Sequence, residues 1–152
     1  MIPQASYSND YQNKGHECRN LVIRCMDFRF WPSLDRLLNM LFEDEGGFGD
    51  YDSPGVGGGG SKSIIDEESR KVVFSALDIA IGKHHVNRAV IIDHIDCGAY
   101  GGSSKFTNAN EEEEFHKNQL IKAGGIIKDK YPELKVILLY QNWESLKQVE
   151  NS

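Results

Sequence analysis

The chain has 152 residues, 39% of them hydrophobic and 26% charged, and a formal net charge of −6. That length allows one globular core and is short for two ordinary domains, so residues 1–152 are expected to form a single domain with 1–19 as an N-terminal arm. The acidic balance gives no general attraction to nucleic acid or to an anionic membrane surface, which leaves a small neutral or weakly anionic molecule as the expected partner.

Residues 1–20 are polar and carry no apolar signal-peptide core, and no later stretch approaches the roughly 20 apolar residues of a membrane span. The expected location is therefore the cytoplasm. Asn20–Arg24 (Asn-Leu-Val-Ile-Arg) predicts a strand that ends at Cys25. Pro32, followed by Leu34, Leu37, Leu38 and Leu41 at helical spacing, predicts a helix over Ser33–Phe42. From Glu43 to Ser63 the chain is rich in glycine and offers no convincing strand. Gly55-Val56-Gly57-Gly58-Gly59-Gly60 has the letters of a dinucleotide fingerprint, but Gly49-Asp50-Tyr51-Asp52-Ser53-Pro54 stands before it where a strand is required. Ser61, between Gly60 and Lys62, likewise breaks a phosphate-loop pattern. What remains is a turning segment able to bring backbone amides close to a ligand.

Ile64–His84 predicts one long helix, with Ile65, Val72, Val73, Ala76, Leu77 and Ala80 on its apolar stripe and Gly82 marking its end. Arg88–Asp93 (Arg-Ala-Val-Ile-Ile-Asp) predicts a second strand, ending at His94. A third helix is expected over Asn110–Lys130, where the acidic run Glu111–Glu114 complements the helix dipole. After the breaker Tyr131-Pro132, Lys135–Tyr140 (Lys-Val-Ile-Leu-Leu-Tyr) predicts a third strand. Continuous apolar strands alternating with helices imply an α/β fold, a three-layer arrangement with a mostly parallel central sheet flanked by helices. In such sheets ligands gather at the carboxyl ends of the strands. Two chemically loaded runs lie there, Cys25-Met26-Asp27-Phe28-Arg29 and His94-Ile95-Asp96-Cys97-Gly98.

Cys25, His94 and Cys97 offer two thiolates and an imidazole, a set suited to a catalytic zinc site with three protein ligands and a fourth position for water. His94 and Cys97 can chelate from one turn, and Cys25 adds a ligand from another strand. The bland alternative is a pair of buried thiols. Asp27 is two residues from Cys25 and shares its face if the backbone stays extended, with Arg29 continuing the alternation. Arg29 can hold Asp27 ionised through two hydrogen bonds, leaving that carboxylate to accept a proton from water; an ordinary ion pair is the alternative. Asp93 and Asp96 flank His94 and could support a ligand or be solvated turn residues. At about 3.3 Å per extended residue, Cys18 lies on the order of 20 Å from Cys25 and is expected to be a spare thiol. His16, His84, His85 and His116 are expected at the surface.

The two runs together resemble the β-class carbonic anhydrases, which carry Cys-x-Asp-x-Arg and, further on, His-x-x-Cys-Gly; the similarity spans approximately Asn20 to Gly102. The resemblance implies an α/β fold forming an obligate homodimer, with Zn2+ held by Cys25, His94 and Cys97 and with Asp27 and Arg29 as the catalytic pair. It implies hydration of carbon dioxide to bicarbonate and a proton by a zinc-bound hydroxide. Where the family usually carries Arg-Asn-Ala-Gly, this chain reads Ser53-Pro54-Gly55-Val56-Gly57-Gly58-Gly59, and Phe28 stands where a small residue is common. A related hydrolase acting on carbon disulfide or carbonyl sulfide, and a non-catalytic zinc module closed by Asp27, are the competing expectations.

Overall fold

A computed structural model describes residues 13–54 and 60–150. Its elements run β1 (Asn20–Arg24), α1 (Trp31–Leu41), β2 (Tyr51–Asp52), α2 (Gly60–Ile65), α3 (Glu67–His84), β3 (Arg88–His94), α4 (Ala109–Lys130), β4 (Lys135–Gln141) and β5 (Leu146–Val149). The five strands form one sheet in the order β2-β1-β3-β4-β5, parallel except for β5, which runs antiparallel to β4.

Alternate residues of each central strand feed opposite faces of the sheet, and both faces are covered. Leu21, Ile23, Ala89, Ile91, Leu138 and Tyr140 point into a core shared with Ile64 of α2, Val73 and Leu77 of α3, and Leu120 and Ile127 of α4. Val22, Val90, Ile92, Ile137 and Leu139 point the other way, against Leu34 and Leu38 of α1 and the loop aromatics Phe42 and Phe48. This is the expected α/β architecture, a mostly parallel sheet between helical layers. No helix among the described residues is long and apolar enough to cross a membrane.

The long helix expected over Ile64–His84 is two helices. Asp66 is extended (φ −71°, ψ 126°) and separates them. Arg70 explains how the break is tolerated: its Nε donates to the Ile64 carbonyl and its Nη2 to the Ile65 carbonyl, each at 2.6 Å, capping the end of α2. Periodicity could not show this, because both helices bury residues on the same core. Val72 faces solvent instead of joining the stripe. Gly82 does not end α3, which continues to His84; His85 supplies the left-handed cap (φ 56°), its N–H bonding the Ala80 carbonyl. Residues Glu43–Ser63 do contain a strand, the two-residue β2, held in register by Asn20 opposite Tyr51. The glycine run at 55–59, with most of the fingerprint-like pattern and the departure from Arg-Asn-Ala-Gly, lies outside the described residues.

Candidate metal centre

Parallel pairing of β1 with β3 sets Arg24 opposite Ile92, so both strands deliver their carboxyl ends to one edge. Cys25 follows β1 directly, His94 is the last residue of β3, and Cys97 comes three residues later. Asp96 takes a left-handed backbone (φ 57°), which turns the chain back so that Cys97 faces the same point as His94. The Cys25 and Cys97 sulfurs and an imidazole nitrogen of His94 all lie within 4.8 Å of one another, a group that could hold a metal ion. Among the described residues no other group of His, Cys, Asp and Glu meets that spacing, and neither Asp27 nor Cys18 belongs to it.

The donor chemistry fits a soft divalent cation. The imidazole's Nδ1 lies 2.8 Å from the Ile95 carbonyl, a contact that places the proton on Nδ1. That leaves Nε2 as the lone-pair nitrogen, and it is buried with no hydrogen-bond partner among the described residues. A buried lone pair turned toward two thiols is what a metal ligand requires and what a packed histidine avoids. Cys97 is 2% exposed. A hydrogen bond to the neighbouring Cys25, then burial, and then the Cys25 charge push its thiol well above the ordinary value, so two thiolates cannot both ionise cheaply in this space. A dipositive ion removes that penalty. Burial pulls the His94 imidazole down, but Cys25 and the Ile95 carbonyl outweigh it and leave the ring raised.

Beside the donors, Arg29 encloses Asp27. Its Nη2 donates to Oδ2 at 2.6 Å, its Nε is shared between Oδ1 at 3.0 Å and Oδ2 at 3.1 Å, and its backbone N–H reaches Oδ1 at 3.0 Å. The guanidinium holds the Asp27 carboxyl below its usual range. Arg29 also reaches the second run: Nη1 donates to Asp96 Oδ2 at 2.9 Å and Nη2 to the Asp96 carbonyl at 3.1 Å. Phe30 lies against the His94 ring at 4.3 Å and stacks on Trp143 at 5.0 Å. Trp31 steadies the first loop by donating its indole N–H to the Cys25 carbonyl.

The structure therefore brings Cys25, His94 and Cys97 together, with Asp27 and Arg29 next to them. Cys18 stands apart, its thiol donating to the Asn20 carbonyl. Three residues have a larger part than their sequence context suggested. Asp96 is an ion-pair partner of Arg29. Asp93 is fully buried and accepts from Ser61 N at 2.8 Å, Ser61 Oγ at 2.5 Å and His116 Nδ1 at 2.8 Å. Glu112, expected only to complement the helix dipole, is 1% exposed and bonded to the turn that carries Cys97. His116 is buried, contrary to expectation, because Asp93 meets it inside the core, and His84 is half-buried against Asp52; His16 and His85 are exposed. The signal for Glu112 and His116 was their place on the inward stripe of α4, four residues apart and continuing to Leu120, Ala123 and Ile127.

Comparison with known proteins adds three findings. A family model described as "Putative carbonic anhydrase" matches residues 15–150. Two curated relatives are uncharacterized proteins: one from Rickettsia bellii, 28% identical over 89% of this chain and 83% of its own length, and one from Rickettsia conorii, 30% identical over 89% and 73%. Among solved structures, the carbonic anhydrase from Glaciozyma antarctica has the same fold, with a TM-score of 0.58 and 14% identity across 93% of this chain and 89% of that one.

Proposed function

The chain belongs to the carbonic anhydrase family whose model it matches, and from that premise we propose that it hydrates carbon dioxide reversibly to bicarbonate and a proton, with zinc held by Cys25, His94 and Cys97. The observation that carries the reading is the convergence of these three donors beside a carboxylate that Arg29 encloses. Zinc at this position would supply a nucleophile near neutral pH, since the metal lowers the pKa of water from about 15.7 toward ~7.

The chain's own residues account for the remainder. Two thiolates give the ion more charge than neutral imidazoles would, so activity is expected to rise above neutral pH. Three N–H groups of Arg29 make four contacts with Asp27, and in this reading an incoming water takes the place of the longer Nε arm, 3.1 Å from Oδ2, and gives its proton there. The same engagement favours an open fourth position over a site closed by Asp27. Phe30 and Trp143 form an apolar wall suited to an uncharged substrate.

A homodimer belongs to the reading, supported by the exposed Met26, Phe28, Trp31 and Trp143 grouped around the first motif and β5. A reducing compartment such as the cytoplasm belongs to the reading, supported by Cys18, Cys25 and Cys97 forming no disulfide among the described residues.

Stopped-flow carbon dioxide hydration on metal-quantified protein at about pH 8.5, above the expected ionisation, tests the reading, with Cys97→Ser as control. Zinc-dependent turnover lost in the variant is the expected result. Turnover only with carbon disulfide or carbonyl sulfide moves the assignment to a hydrolase, and one zinc per chain with no turnover on any of them reduces it to a binding module.

A further inference from the structure

We propose that Glu112 is the positioning residue of the metal centre: its buried carboxylate closes the turn between His94 and Ser103, and through that turn fixes both the chelating pair and the arginine that encloses Asp27. The inference rests on the metal-centre reading above.

Glu112 lies in the first turn of α4, and its side chain points into the protein, where an ionised carboxylate is costly unless its oxygens are bonded. Both are. Oε1 accepts the backbone N–H of Asp96 at 2.7 Å, and Oε2 accepts the hydroxyl of Ser103 at 2.7 Å. The ring is completed by Asp96, whose Oδ1 accepts the backbone N–H of Ser103 at 2.9 Å. Three residues from the two ends of one turn and from a separate helix are thus locked in a closed circuit.

The circuit acts on the metal site in two directions. Asp96 is the left-handed residue between the two ligands, and Glu112 holds the N–H that this conformation turns inward. The Cys97 carbonyl accepts from Tyr100 N at 3.0 Å and Gly102 N at 3.0 Å, so the backbone of the second ligand is fixed within the same turn. Asp96 also presents Oδ2 and its carbonyl to Arg29, which in turn encloses Asp27. Complementing the helix dipole does not require this placement. Glu111 shares the first turn and is exposed, and its carboxylate accepts the Thr107 backbone N–H instead of reaching the Asp96–Ser103 turn.

Cobalt(II) titration of the full chain separates the two roles, because the d–d and thiolate-to-cobalt bands report ligand geometry without any turnover. Glu112→Ala is expected to shift the d–d envelope and weaken cobalt affinity by about ten- to a hundredfold, whereas Glu112→Gln, which keeps one acceptor, recovers part of both. Glu111→Gln, removing a first-turn charge without touching the turn, is expected to leave the spectrum and affinity at wild-type values. If Glu112→Ala does not fold, Ser103→Ala breaks one arm of the circuit and is expected to move the spectrum in the same direction.

Superimposable spectra and affinities for wild type, Glu112→Gln and Ser103→Ala overturn the proposal, as do equal effects of Glu111→Gln and Glu112→Gln. A wild-type chain that takes up no cobalt overturns it together with the metal reading. A chain that binds cobalt, shows the Glu112 effect and yet does not hydrate carbon dioxide refutes the proposed reaction while the positioning role stands.

Discussion

Arg29 holds Asp96 by two contacts, Nη1 to the carboxylate at 2.9 Å and Nη2 to the main-chain carbonyl at 3.1 Å, and so ties the first motif to the second across the strand ends. The same guanidinium encloses Asp27, and its planar fork serves both aspartates at once.

Lysine cannot reproduce that fork. In Arg29→Lys, zinc content is expected to remain near one per chain, while kcat/KM for carbon dioxide falls about ten- to a hundredfold. Parallel measurements of metal content and stopped-flow hydration check this, and an unchanged kcat/KM removes Arg29 from the proposed machinery.

Gly60 opens α2 where the helix crosses the sheet. A Cβ there would lie 2.5 Å from the Ile23 carbonyl oxygen, 2.7 Å from the Ile92 carbonyl oxygen and 2.8 Å from the Ile92 nitrogen, all of them backbone atoms of β1 and β3 that cannot swing aside. Gly60→Ala is expected to lower unfolding free energy by about 3 kcal/mol, the upper end of ordinary overpacking. Urea denaturation decides; a loss under about 0.5 kcal/mol would show that α2 lifts away freely.

Asp93 is fully buried and accepts three hydrogen bonds, from Ser61 twice and from His116. Removing it strands buried donors on two helices. Asp93→Ala is expected to cost about 3 kcal/mol or more, measurable by urea denaturation of the metal-free protein. A near-neutral result would mean that water replaces the carboxylate.

Burial and the Asp35 carboxylate, which accepts the Tyr51 hydroxyl hydrogen bond, push the Tyr51 phenol up to about 12. Its folded value is raised above the ordinary ~10, so the folded chain holds this proton longer than the unfolded chain. The contribution is fully present below about pH 10 and disappears as pH rises through about 12. Tyr51→Phe cannot ionise, so its stability deficit relative to wild type should shrink as pH rises above about 10. Urea midpoints for both proteins between about pH 8 and 11.5 measure the trend, and parallel curves reject it.

The central strands and the three metal-donor candidates were legible because each rests on local residue type: aliphatic runs for Asn20–Arg24, Arg88–His94 and Lys135–Gln141, and thiol or imidazole groups at their ends. The break at Asp66 was hidden because its cause is Arg70, which caps the preceding helix through side-chain bonds that no periodicity encodes. Strands β2 and β5 are short, and β2 exists only by pairing with β1. Glu112 looked like a dipole-complementing residue because first-turn acids are common, and only the fold brings it to Asp96 N and Ser103 Oγ. Asp93 and His116 likewise find each other through the packing of α4 on β3.

Pairing of β1 with β3 joins chain segments that are far apart in order of synthesis, and the metal donors inherit that separation. Cys25 leaves the ribosome before His94 and Cys97 exist, and at about 5–20 residues per second the interval is on the order of several seconds. At that stage a nascent chain carries Cys25 without the other two candidate donors and so has no chelate. Under the proposed reading, uptake of an ion would follow long-range strand pairing, and would itself be a readout that the central sheet has been assembled.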